Sequence, residues 1–296
     1  MSRIKQTNFF KALFTEYFKE HKGFIEIREI NESVRCEFFD SIESLIEVIN
    51  SKRFKGNIYF GVGPRSIRKG DKSAIKHITS LWIDIDYGKT GHKKKSPYTN
   101  KETALKAIDK FPIKPSIIVC SGYGLHCYWI LKSPVVINDP DFIENILKNI
   151  IIKLKGDKGT HNLDRILRVP FTFNSKVKSN PVQSDIIKFD PDLKYEISEF
   201  ESIIKSECTI RLDSLSTRSR DLLENIHSED YDSRSEADFS VICEMVEQGF
   251  SDGEITEVFD KHPTGEKHRE QKGYLSHSIK KAREIIDDNG FKADKR

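Results

Sequence analysis

The sequence predicts a mixed α/β (α+β) domain over residues 1–205, a linker over 206–235 and a small all-α domain over 236–296. Three observations predict it. Up to about residue 205, short apolar runs bounded by Gly and Pro interleave with stretches of helical spacing. From 205 to 235 that periodicity weakens and Ser, Arg and Asp dominate. Beyond 235 only helical spacing remains.

The elements follow in order. Residues 8–21 have the pattern of an amphipathic helix, and FIEIREI (24–30) alternates as a strand does. SIESLIEVINSKR (41–53) is helical, with Ser41 placed to cap it. GNIYFGVGPR (56–65) is a strand ended by Gly and Pro, and SLWIDIDYG (80–88) is a second. Polar, basic residues 88–101 form a loop, and NKETALKAIDKF (100–111) a helix that Pro112 stops. PSIIVCSGYGLHCYWIL (115–131) is two apolar runs around Ser-Gly-Tyr-Gly, a hairpin or tight strand–loop–strand. A helix over 139–156 is closed by Gly156, and 166–176 is a short extended segment. The linker carries one helix at 217–226. In the last segment Gly249 breaks one helix, Ser251 and Glu254 match a capping box for the next, Pro263 stops it, and YLSHSIKKAREII supplies a third.

Charged residues at 32% and hydrophobic residues at 37% describe an ordinary water-soluble mixture. No apolar run reaches the roughly 18 residues of a membrane span, so no membrane partner is expected. The N-terminus mixes acids and lysines with its apolar residues, unlike a signal peptide. Cys36, Cys120, Cys127, Cys208 and Cys243 are scattered without a CxxC, which argues against zinc and a disulfide framework. A reduced, cytoplasmic protein is the expectation. The net charge of +3 decides nothing by itself, but Lys and Arg concentrate at 65–76, 89–95 and 165–178. Each cluster taken singly also reads as a solvated surface.

Three constellations carry chemistry. In LWIDIDYG (81–88), strand alternation sends Leu81, Ile83 and Ile85 to the core and puts Trp82, Asp84 and Asp86 on the other face. Two adjacent carboxylates repel unless a cation lies between them, and hard oxygen ligands suit Mg²⁺ or Mn²⁺. The plainer alternative is the polar side of an edge strand. In SGYGLHCYW, Gly122 and Gly124 permit a sharp turn and close ligand approach, and Ser121 and free amides can donate to phosphate. His126 follows on the same face as Tyr128; the alternative is a hairpin with an ordinary half-buried histidine. Residues 156–176 hold Asp157 and Asp164, then Arg165, Arg168 and Lys176: a third acid for a two-metal set with cations for phosphate, or a surface salt-bridge network.

Read together, DID (84–86), SGYGLH (121–126) and RILRVPFTFNSK (165–176), preceded by YFGVGPR (59–65), resemble the archaeo-eukaryotic primase superfamily. The nearest group is the primase-polymerases (prim-pols) of plasmids, phages and other mobile elements. The resemblance spans roughly residues 56–180. One position departs: Phe171 stands where the group usually has glycine, which puts the turn after Pro170 in question. The resemblance implies an RRM-like catalytic core making primers or extending them on single-stranded DNA from NTPs or dNTPs. It implies that Asp84 and Asp86 hold two divalent ions, Mg²⁺ or Mn²⁺, with Asp157 favoured over Asp164 as the third ligand. It implies that His126, Ser121 and the backbone at Gly122 and Gly124 meet the nucleotide's phosphates. Arg165, Arg168 and Lys176 would hold phosphate, sugar or template. The helical tail resembles the C-terminal domains that accompany such modules and help to hold the template or first nucleotide.

Other readings are a metal-dependent nuclease using the same acids and a non-catalytic DNA-binding replication protein. A rolling-circle nickase needs a second histidine beside His126, where Cys127 and Tyr128 stand instead. No G-x-x-x-x-G-K-[ST] is present, so a helicase is expected to be a separate partner or part of a longer protein, beside replication or CRISPR-associated proteins.

Overall fold

The computed structural model describes residues 2–51, 53–91, 96–200, 212, 214–225, 231 and 233–293, with side chains up to 286. The chain forms two compact units, Met1–Glu201 and Ser202–Arg296. The first is mixed α+β, as the sequence predicts, and its sheets are mostly antiparallel. Its helices are α1 (Ser2–Glu20), α2 (Ile42–Asn50), α3 (Lys101–Lys110) and α4 (Pro140–Lys153). Helix α1 starts six residues before its apolar pattern does. Ser41 caps α2 and Asn100 caps α3, each by accepting from a backbone N–H in the first turn.

One sheet has the order β2 (Val34–Phe39), β1 (Ile25–Ile30), β3 (Asn57–Gly61), β7 (Ile166–Arg168), all antiparallel. The other has β10 (Asp185–Phe189), β5 (Ile117–Cys120), β6 (Gly124–Val136) and β11 (Lys194–Tyr195), with β4 (His77–Asp86) along β6. Only β11 runs parallel to its neighbour among these pairs. A short ribbon, β8 (Phe173–Asn174) with β9 (Val182–Gln183), follows β7. Phe9 of α1 meets Phe60 of the first sheet and Tyr128 of the second edge-on, 5.5 Å from each, so one aromatic cluster joins the two sheets.

β4 pairs with β6 along its whole length, Asp84 opposite His126 and Asp86 opposite Gly124. Its other edge is covered by the turn after α4, where the Asp157 N–H donates to Asp84 O at 2.8 Å and Trp82 Nε1–H donates to Thr160 O at 3.0 Å. Trp82 shares the face of Asp84 yet is fully buried, so that face is core at Trp82 and opens only at the acids.

Gly156 ends α4 for a different reason than helix breaking. The left-handed residue of that turn is Lys155, at φ 47°. A Cβ on Gly156 would lie 2.6 Å from Ile83 Cδ1 and 2.9 Å from Asp84 O, so glycine is required for close approach to β4. Phe171 also takes a left-handed conformation, φ 64°, at the position where the prim-pol pattern has glycine. A side chain at that φ is strained.

The second unit is helical, with Thr217–Glu224, Arg234–Glu247, Asp252–Lys261, Glu266–Glu270 and Tyr274–Ala293. The helix at 217 lies where the sequence predicts it; the short one at 266 is additional. Ser251 and Glu254 form the expected capping box. Val241, Ile242, Met245, Phe259 and Ile279 build its core. Asp238 is buried there and accepts from the hydroxyls of Thr264 (2.8 Å) and Tyr274 (3.0 Å). Much of the segment 206–235 and the basic residues 92–95 lie outside the described residues.

Candidate active site

The site lies at the end of β4, where the acids stop being core. Asp84 and Asp86 are half-buried on one face, two residues apart on a strand tied by hydrogen bonds on both sides. Across the strand pair, His126 Nε2 lies 3.7 Å from Asp84 Oδ1, too long for a hydrogen bond and close enough for charge to matter. His126 is buried and its Nδ1 has no hydrogen-bond partner among the described residues. Burial, reinforced by the guanidinium groups of Arg168 and Arg165, pushes its imidazole down to about 3, so the ring is neutral at neutral pH.

Residues 121–123 form the turn between β5 and β6. Ser121 is buried; its N–H and hydroxyl donate to Gly124 O at 2.8 and 3.1 Å. Its hydroxyl therefore serves the turn, and the reading of Ser121 as a phosphate donor gains no geometric support. Gly122 has φ 106°, a conformation that glycine adopts freely. A Cβ on Gly124 would stand 3.2 Å from Asp84 Oδ1, so glycine there leaves room over the carboxylate. The turn is anchored from β8: Asn174 Nδ2 donates to Ser121 O at 2.8 Å, and Asn174 Oδ1 accepts from the Lys176 N–H at 3.1 Å. The Lys176 side chain is exposed.

Arg168 is buried. It donates from Nη1 to Phe173 O at 2.8 Å and from Nη2 to the Tyr59 hydroxyl at 2.9 Å, with the guanidinium 4.8 Å from the Tyr59 ring centroid. Arg165 is more open; burial lowers its pKa while Asp157, Asp84 and Asp164 pull the other way. The two arginines thus bring positive charge to the acids on β4.

Asp157 and Asp164 do not complete a set of three. Asp157 is exposed and its carboxylate caps the 3-10 turn that follows, accepting from the Gly159 N–H at 3.1 Å. Asp164 accepts from Asn162. Among the described residues no three of His, Cys, Asp and Glu gather around one point. Asp84 and Asp86 do fit the donor chemistry of a hard divalent ion: two carboxylates on a rigid strand, with a neutral imidazole beside them.

Arg65, part of the YFGVGPR run, serves the scaffold next to this site, with Nη2 donating to Asp164 O at 3.3 Å. Its guanidinium is buried and donates through Nε (2.9 Å) and Nη2 (2.6 Å) to Glu26 Oε2, while Arg28 Nε donates to Glu26 Oε1 at 2.9 Å. Its work is to join β1 to the segment after β3.

No family model matches the chain. A curated replication protein of Clostridium perfringens is 32% identical over 113 residues, 36% of this chain and 26% of that protein; the match spans about a quarter of the relative's length. Among solved structures the chain is similar to the AEP domain of the cyanophage S-2L primase-polymerase, with 16% identity over 67% of this chain and 96% of that one, TM-score 0.48. It is similar to primase RepB′, with 13% identity over 95% of this chain and 94% of that one, TM-score 0.48. The catalytic domain of RepB′ in complex with initiator DNA matches at 10% identity over 72% and 97%, also at TM-score 0.48.

Proposed function

We propose that the chain is a DNA-dependent primase-polymerase, which joins nucleotides on a single-stranded template by metal-dependent nucleotidyl transfer. The observation that carries this reading is the convergence of Asp84 and Asp86 with His126, the 121–124 turn, Arg165 and Arg168 at one end of β4. Two divalent ions, Mg²⁺ or Mn²⁺, supply activation of a 3′-hydroxyl and stabilisation of the leaving pyrophosphate in such chemistry. Asp84 and Asp86 would hold them.

The chain's own groups do the rest. Neutral His126, beside Asp84, donates a hydrogen bond to a phosphate oxygen without adding charge. Arg165 neutralises the triphosphate, and Arg168, fixed by Tyr59 and Phe173, shapes the wall behind it. Gly124 admits the nucleotide close to Asp84. Lys176 meets template or phosphate from the surface. Asp157 positions Asp84 through its backbone N–H; its carboxylate, bonded to the Gly159 N–H, would have to turn away from Gly159 to serve as a third ligand.

The test is synthesis on single-stranded DNA with Mn²⁺ or Mg²⁺ and NTPs or dNTPs, with and without a primer. Short products made without a primer, and lost in Asp84→Ala, support the primase. Extension alone limits the reading to a polymerase. Strand cleavage without nucleotides would replace it with a nuclease.

A further inference from the structure

Lysines and arginines crowd residues 65–76, and the structure sorts them. Arg65 is buried against Glu26, Lys69 pairs with Asp71 at 2.7 Å, and Lys72 with Glu144 at 2.9 Å. Arg68 is exposed with no acidic partner within 4 Å among the described residues; its guanidinium lies 4.9 Å from the Phe24 ring centroid. Beside it is a cleft of about 470 Å³, lined by Phe18, His21, Lys22, Phe24, Asp40 and Arg68 among others.

The cleft has a fixed floor. Phe24 N–H donates to Arg65 O at 2.7 Å and Arg65 N–H returns to Phe24 O at 2.8 Å. Between Lys22 and Phe24, Gly23 has no room for a Cβ, which would fall 2.6 Å from Arg65 O. The His21 ring lies 4.2 Å from that of His77, the first residue of β4, and tilted to it, so the cleft lies at the strand end opposite Asp84. The two ends are about 23 Å apart, from seven residues at about 3.3 Å each.

Two exposed cations beside two half-buried aromatic rings match a nucleotide unit: phosphate on Lys22 and Arg68, base on a phenylalanine face. An acidic protein partner would use the cations and leave the Phe18 ring unexplained, Phe24 being covered on one face by Arg68. We propose that this cleft is a second single-strand contact, which holds the nucleic-acid strand by phosphate and stacked base away from the catalytic groove. The proposal rests on the template-copying reading of the chain.

The experiment compares binding of two single-stranded DNAs without metal or nucleotide, one too short to span about 23 Å and one several times longer. Two linked contacts give the wild type an advantage of about tenfold for the longer strand. In Lys22→Ala/Arg68→Ala that advantage disappears, and the salt dependence on the long strand becomes shallower by about 1.4, two phosphate contacts at about 0.7 each. Asp40→Asn, which removes a like charge beside the phosphate, tightens long-strand binding by about twofold, a gain that a misfolded variant does not give. A length advantage that survives in the double variant, or is missing from the wild type, overturns the proposal. So does loss of free dNTP binding with the length advantage intact, which would make the cleft a mononucleotide site. Failure of the wild type to synthesise on any template would instead sink the primase-polymerase reading, and the binding comparison would still judge the cleft.

Discussion

Asp84 and His126 face each other across the central strand pair, one nitrogen and one oxygen 3.7 Å apart, with Gly124 leaving space above the carboxylate. The pair is held by β-ladder hydrogen bonds on one side and by the Asp157 N–H on the other. Asp84→Asn keeps that backbone and removes the charge. On the primase-polymerase reading, synthesis should fall about 10³-fold or more, the loss expected when roughly 4 kcal/mol of transition-state charge stabilisation goes. The melting temperature should stay near wild type. Steady-state synthesis within tenfold of wild type would remove Asp84 from the chemistry.

His126 should leave a pH signature in stability. Folding takes its pKa from 6.5 down to about 3, through burial first and the two arginines second. Between those values the unfolded chain carries a proton that the folded chain lacks, so this part of the stability is complete above about pH 6.5 and is lost as pH falls toward 3. With a chelator present, thermal melts of His126→Gln should show a flatter decline from pH 6.5 to 4 than the wild type. Parallel declines would mean that other groups control the acid limb.

Gly156→Ala should separate two roles that the sequence merges. The added methyl meets Ile83 Cδ1 and the Asp84 carbonyl, and overpacking of this kind costs about 1–3 kcal/mol. Because the clash lies on the strand that carries the acids, synthesis by the folded protein should drop as well, by about 10²-fold for a displacement near 1 Å. Lys155→Gly, at the left-handed position itself, should gain up to about 1 kcal/mol. Denaturant titration and steady-state rates read both. Destabilisation by Lys155→Gly with Gly156→Ala silent would reverse the assignment.

Phe171→Gly should retain activity and lie within about 1 kcal/mol of wild type, since relief of the left-handed strain offsets the flexibility of glycine. Phe171→Val, whose branched Cβ tolerates that conformation poorly, should lose about 2 kcal/mol. Equal urea midpoints for the two variants would show that the turn changes conformation around the side chain.

Glu26→Ala leaves the Arg65 guanidinium buried without its carboxylate. Removal of one member of a buried ion pair costs about 3–5 kcal/mol. Urea titration should show that loss, and a shift below 1 kcal/mol would mean that water enters to replace Glu26.

What was legible in the sequence, and what was not, follows from the range of the forces involved. The hairpin at Ser121 is readable because two apolar runs flank two glycines, and Asp84 and Asp86 share a face because alternation is local. Strand β2 is missed: VRCEFF has a mostly open face and owes its form to pairing with β1. The burial of Trp82 beside the acids is equally hidden, because it depends on residues about eighty positions later. Asn174 is visible as part of a motif, but its grip on Ser121 O, 53 residues away, appears only in three dimensions. The engagement of Asp157 with Gly159 had a signal in the Asp-Lys-Gly order, an acid followed two residues later by an amide free to bond it.

The hydrogen bond from Asp157 N–H to Asp84 O makes the turn after α4 a lever on the strand that bears the acids. A substitution that moves residues 156–160 would therefore act on β4 at Asp84 through the backbone, without touching its side chain. The same clip covers a backbone edge that would otherwise be open to another β-strand, so accurate aim of the acid and resistance to edge-to-edge aggregation are lost together when it opens.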